Sequence, residues 1–362
     1  MIIFFITFAL SFATNLLILR FAPQTMAWVG DHARGVQKIH TEPTPRIGGV
    51  GIFVAFACAG MLAWVVPWGQ GESLVIALCL CSLPVFIAGL IEDITKAVSV
   101  RLRLAFAFSA GLCAFYFAHA QITHLDLPMI DALLTLSVVS ALFSSFAIAG
   151  LSNAYNIIDG LNGLASMVAI IALIALGIVS FYVGDLPILY GALWMIAAIL
   201  GFFLFNYPKG LIFLGDGGAY FIGFGVAPLS ILIVARNPSV SPWFALLLNA
   251  YPIVETLFSV WRRKVHANRN PGLPDAAHFH SLIYRRLMMW SKRHALHKQE
   301  HDAHYLTNAR TSPYLWLLSS IGVMPALLWW DSTLNLMLAA AVFITLYLFL
   351  YYRITRKAKT VW

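Results

Sequence analysis

Residues 151–165 read LSNAYNIIDGLNGLA, placing Asn153, Asn156, Asp159 and Asn162 three residues apart. That spacing gathers side chains on one face of a helix. If the segment begins a helix, Asn153, Asn156 and Asp159 lie near its N-terminal end. Amides there could hold a metal or a substrate's base and sugar, and free backbone N–H groups would favour an anion. Amide contacts between membrane helices are the plainer explanation, but an acid at membrane depth needs a partner or a task. Other acids stand in comparable company. Glu92 and Asp93 are adjacent, with Lys96, Arg101 and Arg103 close behind, and Asp216 sits in the glycine-rich GDGG. Hard divalent cations often use only one or two carboxylates, with substrate phosphates completing the shell. Carboxylates set among Lys and Arg therefore suggest phosphate and metal chemistry. Singly, each acid reads equally well as a solvated group or a helix cap; jointly they argue for a site.

The histidines are less specific. His278 and His280 in PDAAHFHS share a loop with Arg262, Arg263, Lys264 and Arg269. If extended, they would present two imidazoles to one ligand, and a phosphate oxygen suits the cationic surroundings better than zinc, for which no HExxH or paired-Cys pattern exists. His294, His297, His301 and His304 recur at helical spacing and read as the exposed face of a cytoplasmic helix. Glu255 is the one acid well inside an apolar run, and a cation or amide is its expected partner. Cys58, Cys79, Cys81 and Cys113 all fall in apolar runs without ligand spacing and read as packing residues.

The elements that must position these residues are membrane helices. The 362-residue chain is 60% hydrophobic and only 10% charged, whereas soluble domains are about a quarter charged. Apolar runs of about 20 residues, enough to cross a bilayer, recur at 1–21, 47–67, 72–92, 102–120, 131–150, 162–183, 187–206, 217–235, 242–261, 313–330 and 333–352. The fold class is therefore all-α and polytopic, with about eleven spans in one integral-membrane domain over 1–362. The first run lacks a basic n-region and a clean cleavage site and reads as a retained helix. No internal repeat of the transporter kind is visible.

With the N-terminus outside, 22 of the 23 Lys and Arg residues fall on the inner side, and only Arg236 is left out. The positive-inside rule then sets the N-terminus outside and the C-terminus in the cytoplasm. The net charge of +8 reflects loops facing anionic membrane lipids and anionic substrates, with no need for nucleic acid. The outer loops are short and bland. The chemistry-bearing residues collect in inner loops 22–46, 92–103, 151–161, 207–216 and 262–312.

Five motifs in this order, KIHTEPTPRIGG, GLIEDITK, NAYNIIDGLNGLA, FNYPKGLIFLGDGGAYFIGF and PDAAHFHSL, resemble the polyprenyl-phosphate N-acetylhexosamine-1-phosphate transferase family, glycosyltransferase family 4. The likeness runs from the first inner loop to HFHSLIYRR, and PTPRIGG with HFH resembles its polysaccharide-initiating branch rather than the peptidoglycan translocase. The resemblance implies attack by undecaprenyl phosphate on the β-phosphorus of a UDP-N-acetylhexosamine, releasing UMP, with Mg²⁺ required and Mn²⁺ an accepted substitute. It implies a role in starting O-antigen or another surface polysaccharide, an inner-membrane location with the site facing the cytoplasm, and a homodimer.

Carried over by position, Asp216 resembles the principal metal ligand, with Asn156 near the same ion, and Asp93 and Glu92 match an acidic pair at the lipid phosphate. Lys38, Asp159, Asn162, Asn206 and Phe213 match nucleotide positions, with Phe213 the candidate to stack on uracil. Lys96, Arg101 and Arg103 resemble lipid-phosphate clamps. Arg46, Asn153, His278 and His280 resemble diphosphate or sugar contacts. Two positions depart from the pattern: the usual Asp-Asp pair is Glu92-Asp93, and DGLDG is DGLNG, so Asn162 both accepts and donates hydrogen bonds. The rival reading, a transporter of nucleotide sugars or organic anions, would place its polar groups near the midplane; here they sit at one edge.

Overall fold

The computed structural model describes residues 1–31, 44–65, 72–265, 277–293 and 300–359. Lys38, His294 and His297 lie outside them, as do the side chains of His301 and His304. Lipid offers the backbone no hydrogen bonds, so apolar segments satisfy themselves as helices. These are α1 (Ile2–Val29), α2 (Gly49–Val65), α3 (Glu72–Thr95), α4 (Val100–Phe117), α5 (Pro128–Leu134), α6 (Ser137–Ile158) and α7 (Leu164–Val183). They continue as α8 (Leu186–Asn206), α9 (Gly215–Arg236), α10 (Pro242–Leu248), α11 (Ala250–Val265), α12 (Phe279–Arg293), α13 (Glu300–Leu328) and α14 (Thr333–Lys359). Among the described residues the one strand pairing is antiparallel, β1 (Gly30–Asp31) with β2 (Thr44–Pro45).

Each expected span finds a helical unit, and nine of the described helices are long and apolar enough to cross a bilayer alone. α2 has 17 residues, about 25 Å of helix against a hydrocarbon core of about 30 Å. The run at 242–261 is broken, with α10 and α11 meeting at 74°. Asn249 sits at the break and ties it down: its Nδ2 donates to Ala245 O at 3.0 Å and Ser230 Oγ at 3.3 Å, and its Oδ1 accepts from Tyr155 Oη at 3.3 Å.

Two boundaries correct the sequence reading. The apolar run at 131–150 contributes α5 and then α6, which continues to Ile158. The ladder therefore ends a helix instead of beginning one. Asn153 and Asn156 lie in the last turns of α6, and Asp159 is its C-cap. A helix C-terminus presents carbonyls and partial negative charge, so backbone N–H capture of an anion does not occur there; a cation is favoured instead. Within 262–312 the described residues form the end of α11, α12 and the start of α13.

α9 is the centre of the bundle. Its apolar window is 94% buried, against 17% for α1 and 22% for α14 at the periphery. Glycine permits this at the N-terminal end of α9: a methyl on Gly218 would lie 2.6 Å from Gly49 Cα, so the backbones of α9 and α2 touch. Large exposed apolar side chains such as Phe146, Phe181 and Tyr182 belong to the outer surface of the bundle, where lipid covers them.

Candidate functional site

The site forms where the N-terminal end of α9 meets the chain ahead of α2 and the end of α3. Residues 45–49 lie along the loop before α9: Phe213 N–H donates to Pro45 O at 2.9 Å, Gly48 N–H to Phe213 O at 2.9 Å, and Gly49 N–H to Leu214 O at 3.0 Å. Residues 45–49 and the loop before α9 are therefore one hydrogen-bonded unit. Gly215 turns the chain at φ +77°, in the left-handed region, and a side chain there would come within 2.5 Å of Asp93 Oδ2.

Asp93 answers a need created by α9. The first turn of a helix has N–H groups without intrahelical acceptors, and the N-cap residue Leu214 has no side-chain acceptor to offer. Asp93, 2% exposed at the end of α3, supplies it from another helix. Its Oδ1 accepts from Asp216 N–H at 2.8 Å and its Oδ2 from Gly217 N–H at 2.9 Å. Arg46 Nε lies 3.4 Å from Asp93 Oδ1, while Arg46 Nη2 donates to Asp216 Oδ1 at 2.6 Å. Arg103, from the first turn of α4, pairs with the other Asp216 oxygen. Two guanidinium groups and two carboxylates thus alternate around the start of α9. An anion is welcomed there by the cations and by the helix dipole together.

The loop leading to Arg103 is held by its own residues. Glu92 Oε2 accepts from Val98 N–H at 2.8 Å, Lys96 Nζ donates to Asp93 O at 2.7 Å, and Ser99 caps α4. Glu92 thus fastens the turn carrying Lys96 and the exposed Arg101.

The ladder reaches this cluster from α6. Ser152 Oγ donates to Tyr220 O at 2.6 Å and Tyr220 Oη to Asn153 Oδ1 at 3.0 Å. Because the end of α6 meets the start of α9, the next turn of α6, with Asn156, stands level with Asp216. The Asp159 carboxyl follows, close enough to Arg46 and Asp93 to feel both charges. Burial pushes the Asp159 carboxyl up to about 7, and Arg46 pulls it the other way. Neither Asn156 nor Asp159 makes a side-chain hydrogen bond among the described residues, which leaves both open to a ligand.

Asn162 and Asn206 are placed differently. Asn162 Nδ2 donates to Pro208 O at 3.1 Å, and Asn206 takes Gly163 N–H at 2.6 Å and donates to Ile212 O at 2.8 Å. Both buried amides join the turn after α6 to the loop before α9, so they shape that loop from within. Phe213 is half-buried on the same loop.

The histidines flank the opposite side. His278 and His280 are buried, and their rings stack 5.4 Å apart with planes 4° from parallel. The His280 ring edge rests on Gly160, beside Asp159. His278 Nδ1 faces Glu255 at 3.0 Å, and its Nε2 faces Arg263 Nη2 at 3.1 Å. Glu255 is therefore partnered by an imidazole and by the Phe279 N–H, a pairing for which its solitary position deep in an apolar run was the one sequence signal. The capping by Asp93 and the Tyr220–Asn153 bond had no sequence signal.

No group of three His, Cys, Asp or Glu forms a metal cage among the described residues. Asp216 in the first turn of α9 and Asn156 in the last turn of α6 instead offer oxygen donors of the kind that suit a hard cation completed by substrate phosphates.

The model of glycosyl transferase family 4 matches residues 75–234. A Bacillus subtilis protein named "Probable undecaprenyl-phosphate N-acetylglucosaminyl 1-phosphate transferase" is 28% identical over 268 residues, 72% of this chain and 70% of the relative. The Haemophilus influenzae undecaprenyl-phosphate alpha-N-acetylglucosaminyl 1-phosphate transferase is 27% identical over 292 residues, 79% of each chain. A Streptococcus thermophilus phospho-N-acetylmuramoyl-pentapeptide-transferase is 32% identical over 166 residues, 46% of this chain and 47% of its own length.

Proposed function

We propose that the chain is a member of glycosyl transferase family 4, whose model matches residues 75–234, and that it transfers an N-acetylhexosamine-1-phosphate from a UDP-activated amino sugar to undecaprenyl phosphate. A lipid phosphate oxygen attacks the β-phosphorus, the bond to the α-phosphate oxygen breaks, and UMP leaves with that oxygen. The lipid-diphospho-sugar remains in the membrane and starts O-antigen or another surface polysaccharide. The observation that carries this reading is the pair Arg46 and Arg103 closing on Asp216 at the start of α9.

Displacement at phosphorus asks for alignment and for neutralised charge more than for covalent help. Arg46 and Arg103 release Asp216 to take phosphate oxygens, and Asp93 keeps the α9 N-terminus in place while they do. Asp216 and Asn156 would hold a Mg²⁺, which when bound neutralises charge on the diphosphate. Asp159 accepts a hydrogen bond from the nucleotide and Phe213 offers its face to uracil; Lys38 is assigned to the nucleotide by its place in the KIHTEPTPRIGG motif alone. Lys96 and Arg101 meet the lipid headgroup at the membrane edge. That phosphate is ionised near neutrality, so no base is needed for the attack. The inner-face concentration of Lys and Arg supports a cytoplasmic membrane location with the site on the cytoplasmic side.

The test is UMP release by purified protein given undecaprenyl phosphate, Mg²⁺ and a panel of UDP-N-acetylhexosamines. Turnover with at least one sugar, lost in Asp216→Asn, supports the proposal. No turnover with any, together with uptake of a nucleotide sugar into vesicles that survives Asp216→Asn, would replace it with transport.

A further inference from the structure

Glu255, 1% exposed within α11, has both carboxylate oxygens occupied. Oε1 accepts from His278 Nδ1 at 3.0 Å and from Phe279 N–H at 3.1 Å, and Oε2 accepts from Tyr347 Oη at 2.8 Å. A buried carboxylate persists only where such donors meet it. Three helices meet there: α11 carries the acid, α12 begins at Phe279 directly after His278, and α14 brings Tyr347. Tyr351, one turn further along α14, donates to Ala277 O at 3.1 Å and pins the same segment.

These contacts determine the state of an imidazole. A carboxylate only accepts, so His278 Nδ1 carries the proton. A guanidinium only donates, so His278 Nε2, 3.1 Å from Arg263 Nη2, is the acceptor. The tautomer is assigned from the network in this way. His280 lies parallel to the His278 ring and against Gly160, which sets the whole group at the edge of the Asp159 turn.

We propose that Glu255 is a positioning residue: it locks His278 as the Nδ1–H tautomer, so that Nε2 holds the Arg263 guanidinium at the rim of the site, where the diphosphate of the UDP-sugar meets it. The ligand in this statement rests on the transferase reading. The locked tautomer rests on the hydrogen bonds alone. A buried strut would explain the Glu255 contacts as well, but it would not couple Glu255 to Arg263 in substrate affinity.

The experiment compares the full-length protein with Glu255→Ala, Glu255→Gln, Arg263→Ala, Tyr347→Phe and the Glu255→Ala/Arg263→Ala double variant. A Tyr347→Phe/Arg263→Ala double variant completes the set, and the readouts are kcat, KM for UDP-N-acetylglucosamine, melting midpoint, and the His278 ring-nitrogen NMR signals. Loss of one charge-assisted contact of about 1.4 kcal/mol is about tenfold in affinity. We expect Glu255→Ala and Arg263→Ala each to raise KM about tenfold with kcat nearly unchanged, and the double variant to be no worse than Arg263→Ala. Glu255→Gln keeps an oxygen for His278 and Phe279 and an amide N–H for Tyr347, and should recover most of the affinity. If Glu255→Ala does not fold, Tyr347→Phe should show a smaller rise in KM that vanishes in the Arg263→Ala background. Multiplying effects, or a lowered melting midpoint with unchanged KM, would overturn the proposal. If the wild type releases no UMP, the transferase reading has failed instead, and the NMR decides. A protonated Nδ1 that is lost in Glu255→Ala keeps the positioning role; an unchanged His278 signal removes it.

Discussion

Asp93→Asn separates support of the site from chemistry within it. The Asp93 carboxylate takes Asp216 N–H at 2.8 Å and Gly217 N–H at 2.9 Å, with Arg46 Nε at 3.4 Å from Oδ1. An asparagine offers one oxygen, and its amide nitrogen would face a buried N–H, donor against donor. One α9 N–H is then left without an acceptor, at a cost of about 1–3 kcal/mol. The lost charge beside a helix N-terminus adds about 0.3–1 kcal/mol. We expect a clear fall in the melting midpoint of detergent-solubilised protein, with weakened nucleotide binding because Asp216 is no longer held. Glu92→Gln is the control: its amide oxygen still accepts from Val98 N–H, and its midpoint should stay at the wild-type value. An Asp93→Asn protein that melts with the wild type but has lost turnover would refute the capping argument and make Asp93 a catalytic residue.

Arg46→Lys should lower transfer by about one to two orders of magnitude, because an ammonium cannot reach Asp93 and Asp216 at once as the forked guanidinium does; UMP release at saturating sugar would show it, and near-normal rates would contradict it. Gly49→Val places a branched side chain against the Gly218 backbone and should abolish the folded fraction, read by size-exclusion profile; a monodisperse, active variant would show that α2 can shift. Asp159 ionises near 3.8 when unfolded and about 7 when folded, so the folded state binds more protons between these values and stability falls as pH rises through them. The wild-type melting midpoint should therefore drop between about pH 5 and about pH 8 more than that of Asp159→Asn; parallel curves would show that burial does not act on this carboxyl.

Much of this arrangement was legible in the residues, for physical reasons that also mark where legibility ended. Lipid forces apolar runs into helices, so every expected span has a helical counterpart, including the broken one at Asn249. Asp93, Arg103 and Asp216 were nameable as site candidates because carboxylates and cations collect there in an otherwise apolar chain, whereas Arg46 was nameable only through the family resemblance. The ladder's direction was not legible. Its three-residue period fits either end of a helix, and only the packing of Ser152 and Asn153 against Tyr220 shows that α6 runs through it. Residue type did not show that the Asn162 and Asn206 side chains bond the backbone while that of Asn156 makes no hydrogen bond among the described residues. Asp93 caps a helix 123 residues away, and Glu255 meets His278 across 23 residues, and neither pairing leaves a local pattern to read.

The most direct measurement follows the β-phosphorus itself. Purified protein would be given undecaprenyl phosphate, Mg²⁺ and UDP-N-acetylglucosamine radiolabelled at the β-phosphate, or another UDP-N-acetylhexosamine if the panel selects it, and then extracted into organic and aqueous phases. We expect the label to appear in the lipid phase with an equal amount of unlabelled UMP, and to stay in the nucleotide when Asp216→Asn is used or a chelator is added. Label remaining in aqueous UDP while sugar reaches the lipid would contradict transfer of a sugar phosphate, and with it the role given to the arginines around Asp216.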